Sequence, residues 1–148
     1  MCVALCSLIL AAAPVQLGAL APLEPYVGHC WVTQVSPETT DRHCFRPVYG
    51  GKHVRDAHVV VHSGQSVYEG ETIYSAEDGA IVFTYFNSLG GVGRGTATAT
   101  GGELKFELLM RATPEAKPER FETVWRRTPA GYDTIMGGET RSFRLDGE

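Results

Sequence analysis

The sequence predicts an all-β protein, an antiparallel up-and-down barrel of about 8–10 strands, preceded by an N-terminal signal segment. Three observations predict it. Short stretches of alternating apolar and polar residues recur about every ten to fourteen positions after residue 25. Each stretch is closed by a turn rich in Gly, Pro or Asp, and no helical periodicity interrupts the series. A leader without charged side chains precedes them.

The leader, residues 1–21, is predicted to be a signal peptide, which leaves 22–148 as a single barrel domain. Its apolar run, 3–13, has the length of a signal-peptide core and is short for a membrane span. The small residues Ala19 and Ala21 are typical of a cleavage site. The alternatives are that this segment is an uncleaved membrane anchor or an ordinary first strand or helix of the fold. We therefore expect a periplasmic or secreted protein without stable membrane insertion after cleavage.

Four strands are predicted before residue 76, each ended by a turn signal. The first contains Trp31 and leads into a turn around Pro37. The third contains three consecutive valines, and β-branched residues favour strands. The fourth alternates most clearly, with Tyr68 and Tyr74 on one face and glutamates on the other. The predicted ranges are 29–34, 42–48, 53–62 and 67–75.

Six further strands follow a hairpin turn at Asp78 and Gly79. The fifth is the most apolar, and the sixth carries small Thr and Ala side chains. The seventh places Leu104, Phe106 and Leu108 on one face. The eighth carries charges of both signs, and the last two are short and joined by two glycines. The predicted ranges are 80–87, 94–100, 103–112, 120–127, 132–136 and 141–145.

The connections between these strands are about two to six residues long, which is too short for parallel crossovers. Consecutive strands are therefore predicted to pair antiparallel. Closure into a barrel removes exposed strand edges, so a barrel is favoured. A two-sheet sandwich is the main rival.

Cys30 and Cys44 are the two cysteines beyond the leader, and an even pair in an exported chain favours a disulfide. The polar segment 36–40 between them can turn the chain. If the flanking strands pair antiparallel around Pro37, Cys30 lies opposite Cys44 on the same face, within bridging distance. A disulfide between Cys30 and Cys44 is therefore predicted.

The chain carries a net charge of −4, with 13 Lys and Arg residues against 17 Asp and Glu residues. Nucleic-acid binding needs a concentrated basic face. The late cluster of basic residues between 117 and 127 is interleaved with glutamates, which is typical of an ion-paired strand surface. No nucleic-acid partner is therefore expected.

The opening Tyr26-Val27-Gly28-His29-Cys30-Trp31 resembles the Gly-x-Trp-like start of lipocalin-like, or calycin, barrels. The stretches 68–74 and 80–88 look like those of uncharacterised exported bacterial proteins with such a barrel. The resemblance covers roughly 25–146 and implies a barrel related to fatty-acid-binding proteins and nitrobindin-type haem barrels. It also implies that Trp31 plugs the barrel base. The haem ligand of the latter is a late-strand His, and this chain has none after His62, so no cofactor is expected.

Five histidines, all between residues 29 and 62, are interpreted as polar surface or rim residues, and no metal site is predicted. His58 and His62 share a strand face but lie about 13 Å apart at the strand rise. His29 cannot easily share a metal with Cys30, because adjacent strand residues point to opposite faces. Glu69 and Glu71 are expected to face outward, so no catalytic residue is predicted.

The most suggestive set combines aromatic rings with hydroxyl and amide groups, the usual composition of a small-molecule pocket. The leading hypothesis is therefore an exported barrel that binds a small apolar or amphipathic molecule without catalysis. The alternatives are a small isomerase- or cyclase-type enzyme using an interior Tyr or Glu, and an interaction protein with a filled core. The sequence indicates no oligomeric state. The predicted ligand-binding residues are Trp31, Tyr68, Thr72, Tyr74, Tyr85, Asn87, Trp125 and Tyr132.

Overall fold

The computed structural model of the chain describes residues 15–147. They form ten antiparallel strands and two short 3₁₀ helices, Gly18–Leu23 and Tyr49–Gly51. The strands are β1 (Cys30–Ser36), β2 (Thr39–Val48), β3 (His53–His62), β4 (Gln65–Glu77), β5 (Ala80–Asn87), β6 (Val92–Thr100), β7 (Glu103–Arg111), β8 (Glu119–Thr128), β9 (Gly131–Met136) and β10 (Glu139–Leu145). Within this range, no helix has the length and apolar character needed to cross a membrane.

The strands form one closed barrel in which each strand pairs with its neighbour in sequence. β1 closes the barrel against β10 through the pairs Trp31↔Leu145 and Val32↔Arg144. The predicted barrel is thus confirmed, and the rival sandwich is excluded. The predicted hairpin turn is also present: Asp78 and Gly79 have φ values of 49° and 80°, as a type I′ turn requires.

One end of the barrel is closed by the chain that precedes β1. The 3₁₀ helix Gly18–Leu23 lies at this end and contacts β3, β4 and β5. Leu20 and Leu23 are buried at 1% and 0% exposure, and Tyr26 is buried at 2%. The indole N–H of Trp31 donates a hydrogen bond to the Tyr26 carbonyl oxygen at 3.1 Å. This segment acts as a plug, which we call the N-terminal plug (residues 17–26).

The N-terminal plug overlaps the predicted leader. Residues 1–14 lie outside the described residues. The last part of the leader, however, supplies Leu17 and Leu20 to the core of the closed end. A cut after Ala21 would remove both leucines from that core.

The core of the closed end is mainly aromatic. Rings from β1, β2, β8 and β9 surround Tyr26, with centroid separations of 5.0 Å to Tyr132 and 5.4 Å to Trp125. The Arg127 guanidinium lies 5.4 Å from the ring centroid of Trp31, within range for a cation–π contact. This end is therefore densely filled, and any cavity must lie toward the other end.

The predicted disulfide is present. Cys30 lies directly opposite Cys44 in the β1–β2 register, and their Cα atoms are 4.0 Å apart. Trp31 and Phe45, the next residues in each strand, are buried in the interior, so the disulfide lies on the outer face. It covalently ties the two strands beside the closed end.

Reduction of this disulfide is expected to lower the free energy of unfolding by about 3 kcal/mol, because a closed loop of this length limits the entropy of the unfolded chain. Urea titration of the wild-type protein with and without dithiothreitol measures the difference on one sequence. A Cys30→Ser/Cys44→Ser double variant serves as the control, since dithiothreitol should leave its midpoint unchanged. An equal midpoint for oxidised and reduced wild type would contradict the expectation.

Candidate functional site

The half of the barrel opposite the N-terminal plug contains an open cavity of about 310 Å³. Its walls come from the inward faces of β2 to β5 and β7 to β9. A second depression of about 230 Å³ adjoins it and shares His43, His58, Thr123, Trp125 and Met136 with it. The two spaces therefore belong to one opening. The remaining residues of the larger cavity are Tyr68, Thr72, Tyr74, Phe83, Tyr85, Phe106, Leu108, Met110 and Phe121.

Two markedly larger depressions lie at other places on the barrel. One, of about 430 Å³, lies along the outer face and is lined by charged side chains that include the ion-paired Arg55 and Glu71. The other, of about 660 Å³, lies where β1 and β10 stop pairing and is lined by Gln34, Glu139 and Arg141. The first is bordered by ion-paired charged side chains and the second is mainly polar, whereas the interior cavity is lined mainly by aromatic and aliphatic side chains, which makes it the better candidate for a small-molecule site.

Aromatic rings form the floor of the cavity. The Phe106 ring lies 4.4 Å from that of Trp125, and the Phe83 ring lies 5.9 Å from that of Phe106. The Tyr74 ring packs against Phe83 at 5.6 Å. Such contacts hold the floor in a fixed shape, because each ring is confined by its neighbours. The cavity therefore has a largely preformed apolar surface.

A pair of tyrosines forms one polar part of the wall. The hydroxyl groups of Tyr68 and Tyr85 are hydrogen-bonded to each other. The Tyr85 ring crosses over Gly70, where a Cβ atom would lie 2.6 Å from its hydroxyl oxygen, so the glycine makes room for this ring. Burial, followed by the hydrogen bond to Tyr68, raises the pKa of Tyr85 well above its ordinary value. The Tyr85 hydroxyl group is thus available as a neutral hydrogen-bonding group at the cavity wall.

A second polar part of the wall consists of two Asp-x-His motifs on facing strands. β2 supplies Asp41 and His43, β3 supplies Asp56 and His58, and the two histidines are directly paired in register. Their imidazole rings stack with centroids 4.2 Å apart. His43 Nδ1 lies 2.7 Å from Asp56 Oδ2, and His58 Nε2 lies 2.7 Å from Asp41 Oδ1. We call these four residues the Asp–His cluster.

The Asp–His cluster is strongly coupled. Burial would raise the pKa of Asp41, but the contact with His58 and the charges of both imidazoles outweigh it and lower that pKa below its ordinary value. Burial would likewise lower the pKa of His43, but the Asp56 carboxylate outweighs it and raises that pKa. At neutral pH, Asp41 is therefore ionised, and His43 keeps a proton to a higher pH than a free histidine.

The structure brings most of the predicted ligand-binding residues together. Tyr68, Thr72, Tyr74, Tyr85 and Trp125 line the larger cavity, and Tyr132 lines the adjoining depression.

Two predicted ligand-binding residues lie elsewhere. Trp31 packs at the closed end against Tyr26 and lines neither space. Asn87 lines neither space because its amide holds the β5–β6 turn: its Oδ1 accepts hydrogen bonds from the N–H groups of Leu89 and Gly91. The side-chain amide of Asn87 therefore stabilises the β5–β6 turn at the edge of the barrel.

The histidine interpretation needs correction for two of the five residues. His43 and His58 lie inside the barrel with side-chain exposures of 17% and 16%, not on its surface. The alternation of side chains along β2 could have indicated this position. Asp41 and His43 share a strand face with the apolar Phe45, and that face is buried. A histidine two positions from a core residue in a strand belongs to the inner face. Glu71, by contrast, pairs with Arg55 on the outer face, as expected.

Comparison with known proteins adds no assignment: no protein-family model matches this sequence, and no curated protein is significantly similar to it.

Proposed function

We propose that this protein binds a small apolar or amphipathic molecule in the open half of the barrel, without catalysing a reaction. The observation that carries the proposal is the cavity of about 310 Å³. Its size is at the lower end of the range for small-molecule sites, and its lining is mainly aromatic and aliphatic with a few polar groups. A filled-core interaction protein would not need such a space.

The polar groups define the chemical class of the ligand. The Tyr68–Tyr85 hydroxyl pair and the histidines of the Asp–His cluster lie on the β2–β5 wall, while Leu108, Met110 and Phe121 line the opposite wall. A ligand with one polar group and an apolar body matches this asymmetry, because each buried polar group then finds a partner. We therefore favour an amphipathic ligand over a pure hydrocarbon.

Export to an oxidising compartment and membership of the lipocalin-like barrels are part of this proposal. The Cys30–Cys44 disulfide supports export, because such bonds persist mainly outside the cytosol. The uncharged leader supports it as well. The closed ten-stranded antiparallel barrel with Trp31 at its closed end supports the lipocalin-like relationship.

Calorimetric titration with a panel of medium-chain fatty acids, fatty alcohols and isoprenoid alcohols tests the proposal. Trp125 lines the cavity, so its fluorescence provides a second readout on the same samples. We expect saturable binding of one molecule per chain by at least one class, with a matching fluorescence change. Heat effects without saturation across the whole panel would contradict the proposal.

A barrel enzyme of isomerase or cyclase type is the second candidate, and one observation favours it. His43 is hydrogen-bonded to the buried Asp56 and borders the cavity, an arrangement that can support general acid–base chemistry. The same titrations separate the two candidates, since an enzyme would return a ligand of altered structure. Mass and chromatographic comparison of the recovered ligand with the added one gives the answer.

A further inference from the structure

We propose that Asp41, His43 and His58 together bind one divalent transition-metal ion of the zinc type at the wall of the cavity. One donor atom from each residue converges on a common point, since all three atoms lie within 4.8 Å of one another. Asp41 Oδ1 lies 2.7 Å from His58 Nε2 and 3.5 Å from His43 Nε2. The proposal does not depend on the small-molecule ligand proposed above.

These separations fit a shared ion. Imidazole nitrogen and carboxylate oxygen ligands lie about 2.0–2.2 Å from Zn²⁺, which places neighbouring ligands about 3.0–3.5 Å apart in octahedral or tetrahedral geometry. The observed separations of 2.7 and 3.5 Å bracket that range. The two imidazole rings are stacked at 15° to each other, so at least one ring must rotate out of the stack for both nitrogen lone pairs to point at one ion.

Two of the donor atoms are incompletely satisfied in the described part of the chain. Asp41 Oδ1 and His58 Nε2 are fully buried, and neither has a hydrogen bond within the described part of the chain, although they lie 2.7 Å apart. Asp41 as a residue is only 6% exposed. A buried carboxylate oxygen and a buried imidazole nitrogen that face each other without a well-formed hydrogen bond are incompletely satisfied. A metal ion between them would satisfy both.

Asp56 orients the third donor. Its carboxylate accepts a hydrogen bond from His43 Nδ1 at 2.7 Å, which fixes the proton on that nitrogen and leaves the Nε2 lone pair facing Asp41. Carboxylate–histidine–metal arrangements of this kind are common in zinc sites, where the outer carboxylate sets the tautomer and raises the basicity of the ligand. Asp56 is 2% exposed, so its position is set by the surrounding barrel.

The charge of the cluster also favours a dication. Metal binding requires neutral imidazoles, which leaves two buried carboxylate charges from Asp41 and Asp56. One divalent ion neutralises both. Because the donors are two imidazoles and one carboxylate, Zn²⁺, Co²⁺ or Cu²⁺ is favoured over Ca²⁺ or Mg²⁺.

Three protein ligands leave at least one coordination position vacant for water or a donor group of a small molecule. His43 and His58 both line the cavity, so that position is accessible from the barrel opening. The site would thus present a Lewis acid at the polar wall of an otherwise apolar cavity.

Titration of the full-length protein, dialysed against EDTA and then freed of it, with Zn²⁺ and Co²⁺ tests the proposal. We expect one ion per chain by calorimetry and a Co²⁺ absorption spectrum typical of nitrogen and oxygen ligands. Cys2 and Cys6 are the other two cysteines of the chain, and their coordination would produce intense thiolate charge-transfer bands. The absence of Co²⁺ binding, or a thiolate spectrum, would overturn the proposal.

Variants locate the ion. We expect Asp41→Asn and His58→Gln each to weaken Zn²⁺ binding by at least about 100-fold, and Asp56→Asn by about 10- to 100-fold. His62→Gln is the matched control, because His62 lies on β3 with its side chain 51% exposed, and it should bind as wild type does. Equal affinity in all four variants would overturn the proposal.

Pulsed electron paramagnetic resonance of the Cu²⁺-loaded wild type gives a test that does not depend on whether any variant folds. Two coupled imidazole nitrogens are expected, and none or one would overturn the proposal.

Discussion

Replacement of Leu20 by Ala is expected to lower the free energy of unfolding by about 2–5 kcal/mol, because Leu20 is 1% exposed under the closed end of the barrel. Its side chain lies among the apolar residues of the N-terminal plug and the aromatic core. Truncation leaves a cavity that the rigid barrel wall cannot fill by relaxing. Urea unfolding followed by tryptophan fluorescence measures the change.

Leu89→Ala is the matched control for this experiment. Leu89 is 56% exposed in the β5–β6 turn, so the same truncation there should change the free energy of unfolding by no more than about 0.5 kcal/mol. Equal effects at the two leucines would mean that the N-terminal plug does not cover the closed end.

The packing of Leu20 also bears on where the proposed leader would be cleaved. A mature chain that began at Pro22 would lack Leu17 and Leu20, which both belong to the core. We therefore expect the mature protein to begin upstream of Leu17. Amino-terminal sequencing of the protein purified from its own host checks this expectation, and a terminus at Pro22 would contradict it.

Replacement of Leu108 by Trp is expected to reduce affinity for any cavity ligand by at least about 100-fold. Leu108 lines the cavity from β7, and an indole at this position would occupy much of the space that a ligand needs. The loss of an entire apolar contact surface amounts to several kcal/mol, and each 1.4 kcal/mol corresponds to a tenfold change in affinity. Titration with the compound that binds wild type most tightly measures the loss.

Leu109→Trp provides the matched control. Leu109 is the next residue of β7 and is 47% exposed, so its side chain points away from the cavity. The same substitution there should leave affinity unchanged. Binding that survives Leu108→Trp, or is lost equally in both variants, would show that the ligand does not lie in the barrel.

Much of the fold could be predicted because a strand has a short and simple period. Alternation in β4 separated Tyr68, Thr72 and Tyr74 from Glu69 and Glu71, and the structure places these two sets on opposite faces. Counting residues outward from the turn at Pro37 likewise predicted that Cys30 lies opposite Cys44, as the structure shows. Both inferences use local geometry that the rest of the molecule does not alter.

The Asp–His cluster could not be predicted in the same way. Its four residues come from two strands, and they meet only because β2 and β3 pair. Asp41 and His43 are unremarkable polar residues when β2 is considered alone. Only the register that sets His43 opposite His58 brings Asp56 within 2.7 Å of the imidazole. Composition favours exposure for such residues, but mutual neutralisation allows their burial.

The N-terminal plug was missed for a related reason. Uncharged, apolar sequence is typical of a leader and also of a segment that covers a core. Nothing in residues 17–21 distinguishes the two, since the difference lies in the open barrel end that accepts Leu17 and Leu20.

Native mass spectrometry of the protein purified from its own host tests the central claim, that the open half of the barrel binds a small molecule. We predict a population heavier than the polypeptide by the mass of one small organic molecule, released when the protein is unfolded and absent from Leu108→Trp. A polypeptide that carries no organic molecule, and takes none up from a lipid extract of the same cells, would contradict it.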